Sequence, residues 1–189
     1  MNTLIVVGIM VVALVALIAW VVGLYNGLVV LKNRFKNAFA QIDVQLRRRY
    51  DLIPNLIECV KGYAAHEKSV LEGVTQARAN AIAAGNNGSA ERIAAEAKLG
   101  GALKGLMVQM EAYPQLRANE NFLQLQEELG STENKISFAR QHYNDTATSY
   151  NTAIAVFPGN LLAGIFHFTD AALWQITDSV EREAPKVKF

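Results

Sequence analysis

An excess of charge of either sign is missing from this chain. Among its 189 residues, 18 lysines and arginines stand against 17 aspartates and glutamates, a formal net charge of +1. A protein whose main business is nucleic acid needs a dominant basic face, so no nucleic-acid partner is expected. Cysteine is almost absent: Cys59 stands alone, which excludes an internal disulfide and a cysteine-built metal site. The histidines are His66, His142 and His167, and no two have the i, i+4 spacing of a zinc-binding helix. The paired Glu-x-x-His motifs of a di-iron bundle are missing too. "GNNGS" at residues 85–89 lacks the lysine and the preceding strand of a phosphate loop. No stretch alternates apolar and polar residues over a useful length, so no sheet is expected. These absences together predict no cofactor, no metal and no enzyme.

What is present begins with a long apolar run. Residues 4–24, "LIVVGIMVVALVALIAWVVGL", carry no charged side chain and account for the positive mean hydropathy. As a helix they span roughly 30 Å, one hydrocarbon core. A cleaved signal peptide would want a basic start, a shorter apolar core and a small-x-small cleavage site, and "MNT" has no positive charge, so an uncleaved anchor is expected. Lys32, Arg34, Lys36 and Arg47 to Arg49 follow the run and none precedes it. The positive-inside bias then puts the C-terminal domain in the cytoplasm of a single-pass protein. Trp20 and Tyr25 sit near one end, where amphipathic rings favour headgroups. Ala19, Gly23 and Gly27 fall four apart, a small-residue series through which helices can associate.

Beyond residue 28 the pattern is helical. Leu28, Leu31, Phe35, Phe39, Ile42, Leu46, Tyr50, Ile53, Ile57, Val60 and Ala64 recur at spacings of three and four, and the stripe continues through Val70, Val74, Ala77 and Ala81. It stops at the "GNNGS" turn. A second helix is expected from about Ala90 to Glu111, with Leu99, Leu103, Leu106 and Met110 on one side. Tyr113-Pro114 ends it. A third runs from about Leu116 to Ala155 until "FPGN" at residues 157–160, and the apolar-then-charged tail has room for a short helix or two. The fold expected is all-α: a transmembrane helix continuous with an elongated antiparallel bundle of three long helices plus a short C-terminal segment. The expected divisions are an anchor at 1–27, a bundle at 28–165 and a partly helical tail at 166–189.

One stretch, "IDVQLRRRYDLIPNLIECVKGY" at residues 42–63, carries three consecutive arginines. Successive helical residues differ by about 100°, so Arg47, Arg48 and Arg49 point three ways and make no single patch. Arg47 lies four residues from both Asp43 and Asp51, so a ladder along one edge is expected, extended by Asn55. Each exposed pair is worth only about 0.2–0.5 kcal/mol. Pro54 leaves two readings open: Asp51 caps a new helix, or one helix continues through the proline with a kink. Glu133, Asn134, Arg140, Tyr143, Asn144, Tyr150 and Asn151 cluster on the third helix. They fit either a buried polar network that fixes helix register against the Asp43–Arg47–Asp51 edge or a cleft for a ligand or peptide.

"YNGLV" after the apolar run, the stretch from Ile42 to Glu67, "EAYPQL", "TENKISFARQHYN" and "YNTAIAVFPGN" resemble the LemA family of bacterial membrane proteins, in the expected order over about residues 20–165. Arg48 stands where lysine is usual. The resemblance implies one N-terminal membrane helix in the bacterial inner membrane, a helical bundle and no established activity. It also suggests a membrane protein partner, such as a membrane metalloprotease. The motif residues carried over by position include Tyr25, Asn26, Gln45, Arg49, Lys61, His66, Glu67 and Pro158, and the family assigns none a catalytic role. The functional expectation is a membrane-anchored scaffold or adaptor that forms a homo-oligomer or binds a membrane partner. The alternatives are a regulator with a polar ligand or peptide cleft and a protein that remodels the membrane surface through its apolar segment at residues 161–176. Candidate network or partner residues are Asp43, Arg47, Asp51, Asn55, Glu133, Arg140, Tyr143 and Asn144; candidate helix-association residues are Ala19, Gly23 and Gly27.

Overall fold

The computed structural model describes residues 2–64, 67–85 and 90–174. Its helices are α1 (Asn2–Lys61), α2 (Lys68–Ala83), α3 (Ala90–Met110), the single turn α4 (Pro114–Arg117), α5 (Glu120–Ala155) and α6 (Gly159–Ile165). Among the described residues there is no strand. The expected all-α fold, with a long apolar helix continuing into a bundle, is what forms. His66, most of the "GNNGS" turn and tail residues 175–189 lie outside the described residues.

The helix count differs from the expectation. The stripe expected to run unbroken to Ala81 is interrupted after Lys61, where Tyr63 and Ala64 both donate to the Val60 carbonyl and the chain turns. Val74 and Ala81 on α2 are still buried, because a stripe that keeps its phase serves two antiparallel helices as well as one. Gly85 ends α2 with φ 80°, the left-handed conformation that glycine adopts without steric cost. At α5, the Asn119 side chain accepts from the Phe122 N–H at 3.1 Å, and Glu120 places a carboxylate in the first turn; both satisfy the helix start.

Two compact units arise. One holds residues 39–140 with Trp174. Cross-helix pairs fix its topology. Asp43 with Arg92 and Arg49 with Glu96 advance together, so α1 and α3 are parallel. Arg48 with Glu128 and Tyr63 with Asn119 run in opposite senses, so α1 and α5 are antiparallel. The turn after Lys61 together with Arg78 level with Tyr50 makes α2 antiparallel to α1. The result is an up-down-up-down four-helix bundle. Its core includes Ile42, Leu46, Ile53, Leu56, Val60, Val74, Leu99, Leu106, Met110, Leu116 and Ile136.

The other unit holds residues 2–38 and 141–173. Here α1 is uncovered over its apolar run, and its burial starts at Val21 and deepens at Leu28 and Ala38. Phe35 packs against Tyr150 and Tyr143, with ring centroids 4.9 and 6.4 Å apart. Past Ala155 the chain turns through a cis Phe157–Pro158 bond into α6. A Cβ at Gly159 would run into the Ala153 carbonyl, so only glycine fits that corner. His167 closes α6 at φ 53°, and the Phe168 N–H reaches back to the Ala163 carbonyl at 3.0 Å, a Schellman-type closure. Segment 168–173 is then strapped to α5. The Asn151 amide pairs with both the N–H and the C=O of Ala171, at 2.8 and 2.9 Å. Tyr150 and Tyr143 donate to the Thr169 and Ala172 carbonyls at 3.0 and 2.6 Å.

Candidate functional site

The arginine triplet splits as helical geometry requires. Arg47 and Arg48 face solvent and Arg49 turns inward. Arg49 is only 3% exposed, and its two terminal nitrogens reach two carboxylates. Nη1 donates to Glu133 Oε1 at 2.9 Å and Nη2 to Glu96 Oε2. Glu96 is itself 5% exposed, and its second oxygen accepts from the Tyr50 hydroxyl. One side chain on α1 thus binds α3 and α5 together. Glu133 is 44% exposed, so water screens that arm and the Glu96 arm carries most of the electrostatics. Burial pushes the Tyr50 phenol well above the ordinary tyrosine range, and the hydrogen bond to Glu96 adds to the shift.

A second buried cation lies nearby. Arg92 on α3 pairs with Asp43 of α1 and sits 5.4 Å from the centroid of the Phe39 ring, where the π face favours a cation. Asp43 therefore takes a partner from another helix in place of the expected Arg47. Among the described residues the Asp43–Arg47–Asp51 ladder does not form, and Arg47, Asp51 and Asn55 are exposed. A salt bridge along an exposed helix edge offers little; pairing Asp43 with Arg92 satisfies two groups that packing has already largely removed from water.

Pro54 lies inside α1, so the capping alternative at Asp51 falls away. A proline at position 54 has no N–H for the Tyr50 carbonyl, the acceptor four residues earlier. Arg78 on α2 supplies the missing donor: its Nε lies 2.8 Å from that carbonyl. The helix break that the proline threatens is thereby converted into a tie between α1 and α2. Arg47, Tyr50, Asp51, Arg78 and Arg92 line a cleft of about 310 Å³ on this side of the bundle.

Of the remaining expected residues, Glu133 joins the network through Arg49, whereas Asn134 is exposed. Arg140 stacks its guanidinium 5.4 Å from the Trp174 ring centroid. Tyr143 belongs to the strap described above, and Asn144 is half-buried. Sequence reasoning does not single out Arg49, Arg92, Glu96 or Arg78 as network residues. A signal for three of them is present. Arg49 stands between Leu46 and Ile53 on the apolar stripe, and Arg92 and Glu96 continue backwards the series Leu99, Leu103, Leu106, Met110. A charge on the apolar stripe of a helix is either an error of register or a buried pair. Nothing local betrays Arg78.

Among the described residues no group of three or more His, Cys, Asp or Glu side chains is placed to hold a metal. Cys59 is a free, partly buried thiol. What the arrangement does chemically is hold helices in register.

Comparison with known proteins adds a family model described as the LemA family, matching residues 38–189. Magnetosome protein MamQ 2 of Paramagnetospirillum magneticum is 26% identical over 189 residues, covering 87% of this chain and 70% of that protein. Magnetosome protein MamQ of Magnetospirillum gryphiswaldense is 25% identical over 182 residues, covering 84% and 67%. Protein LemA of Metamycoplasma hominis is 27% identical over 161 residues, covering 85% and 73%.

Proposed function

This chain belongs to the LemA family, and from that premise we propose that it is a non-enzymatic helical scaffold, anchored in the membrane, that self-associates or holds a membrane protein partner. The observation that carries the reading is the uncovered apolar run of α1. Ala19, Gly23 and Gly27 are exposed one turn apart, and a Cβ added at Gly23 or Gly27 would meet open space. Helices associate in lipid through such small-residue faces, where backbones approach closely. The bundle supports the same reading, since its buried charges are engaged in holding α1, α3 and α5 together. The cations after the run and none before it favour a bacterial inner-membrane protein with the bundle in the cytoplasm. A membrane metalloprotease is the partner class that the family resemblance suggests.

The test is the mass of the full-length protein in mild detergent, for wild type and for Gly23→Ile/Gly27→Ile. A homo-oligomer in wild type that falls to a smaller species in the variant is expected. A wild-type monomer with no co-purifying partner overturns the proposal.

A further inference from the structure

One apolar surface is explained neither by the core nor by the span. Residues 146–169 contain no Asp, Glu, Lys or Arg. Within them the α5–α6 corner shows Val156, Phe157, Leu161, Ile165 and Phe166 each between 50% and 77% exposed. The inner side of α6 is apolar as well, through Leu162 and Ala163. Asn160 is the one polar side chain on α6, so this short helix has little polar face to give to water.

Its position along α1 identifies what covers it. The Phe166 ring packs on Tyr25, centroids 4.7 Å apart, and Phe168 lies 5.8 Å from the same ring. Tyr25 is the first residue after the apolar run, so on the membrane-anchored reading above, on which this inference rests, the end of α6 sits where that run leaves the hydrocarbon. Lys32 is seven residues further along α1, roughly 10 Å by helical rise, and its ammonium lies 5.3 Å from the Phe168 ring centroid. Arg34 and Lys36 follow. The order apolar corner, aromatic pair, cations is the order of acyl chains, interface and phosphates in a leaflet. A soluble partner would have to enter the headgroup layer to reach Leu161 and Ile165.

We propose that the corner from Val156 to Phe166 is a second membrane-contact element, bedding Phe157, Leu161, Ile165 and Phe166 into the leaflet from which α1 emerges. The occupant is lipid at the headgroup–acyl boundary. The contact gives α1 a second foothold beside the span, so this unit is held at a fixed depth and cannot pivot freely on a single helix. The proposal does not rest on self-association: a monomer would bed the corner in the same way.

The experiment places a nitroxide on Phe157→Cys, Leu161→Cys or Ile165→Cys, one at a time, in the full-length chain with Cys59→Ser. The protein is reconstituted in phosphatidylcholine/phosphatidylglycerol vesicles. Ile18→Cys in the span and the exposed Phe138→Cys are references. Collision with oxygen is compared with collision with a water-soluble nickel chelate, and circular dichroism of each labelled protein verifies its helix content. Labels at the corner are expected to favour oxygen, as Ile18 does, at a depth of about 5–10 Å below the phosphates. Nickel access equal to that at Phe138 overturns the proposal. So does an immobilised label shielded from both reagents, which would mean that protein covers the corner. Three separate exposed sites keep the result independent of any one variant's folding.

Discussion

Replacing Arg49 with methionine removes the cation that two carboxylates share. Glu96 is left 5% exposed, with the Tyr50 hydroxyl as its remaining partner among those described above. Breaking a buried pair by deleting one member costs roughly 3–5 kcal/mol, because the surviving charge keeps its desolvation penalty without its attraction. The Glu133 arm adds little, since that carboxylate is 44% exposed and turns to water. For a chain of this size such a loss lowers Tm by roughly 6–20 °C. Arg49→Met/Glu96→Leu removes both charges and is expected to recover most of the loss, as apolar replacements of buried pairs do. The assay is urea or thermal unfolding of the detergent-solubilised protein, followed by the fluorescence of buried Trp174 in a Trp20→Phe background. A loss below about 1 kcal/mol for Arg49→Met would refute the reasoning, being the size of a surface pair. A double variant less stable than the single one would refute it too.

Two further outcomes follow from the same geometry. The Tyr50 phenol titrates above the ordinary value of 10.0 in the folded protein, through burial first and Glu96 second; the folded state therefore holds this proton to higher pH than the unfolded chain. Its contribution is complete below the unfolded value and lost as pH climbs through the folded one, so Tm is expected to fall above about pH 10, with Tyr143 and Tyr150 acting in the same direction through burial. Tyr50→Phe should flatten that alkaline slope; identical slopes would count against the assignment. Arg78→Leu leaves the Tyr50 carbonyl without its donor and is expected to cost about 1–3 kcal/mol. Adding Pro54→Ala should restore much of it, because alanine returns the helical N–H that proline lacks. If the urea midpoint of the double variant stays at that of Arg78→Leu, the tie from α2 is not what completes the helix.

Much of the helix content is legible because three-and-four spacing is a local property of the chain. The third expected helix, Leu116 to Ala155, differs from α5 mainly by the short α4 turn before it. The break after Lys61 is not legible, because Val60, Leu71 and Val74 keep the phase of the stripe across it, and phase alone does not distinguish a straight helix from a hairpin. The site shows the same division. Spacing and clustering point to Asp43 and Glu133, but they favour Arg47 over Arg49, because only neighbours three or four residues away can be paired on paper. The partners of Arg49 are 47 and 84 residues distant.

By itself the sequence determined that the chain is helical, that an apolar run near its start is long enough to cross a bilayer, and that Arg47, Arg48 and Arg49 diverge. Each follows from periodicity, composition or the 100° step of a helix, which act within a few residues. Only the tertiary structure decided which arginine is buried, that Arg78 completes a carbonyl orphaned by Pro54, and that Phe166 returns to Tyr25 at the end of the apolar run. These depend on which distant segments meet. Burial is what gives an ion pair, an unpaired carbonyl or an apolar corner its energetic weight, and burial is set by packing.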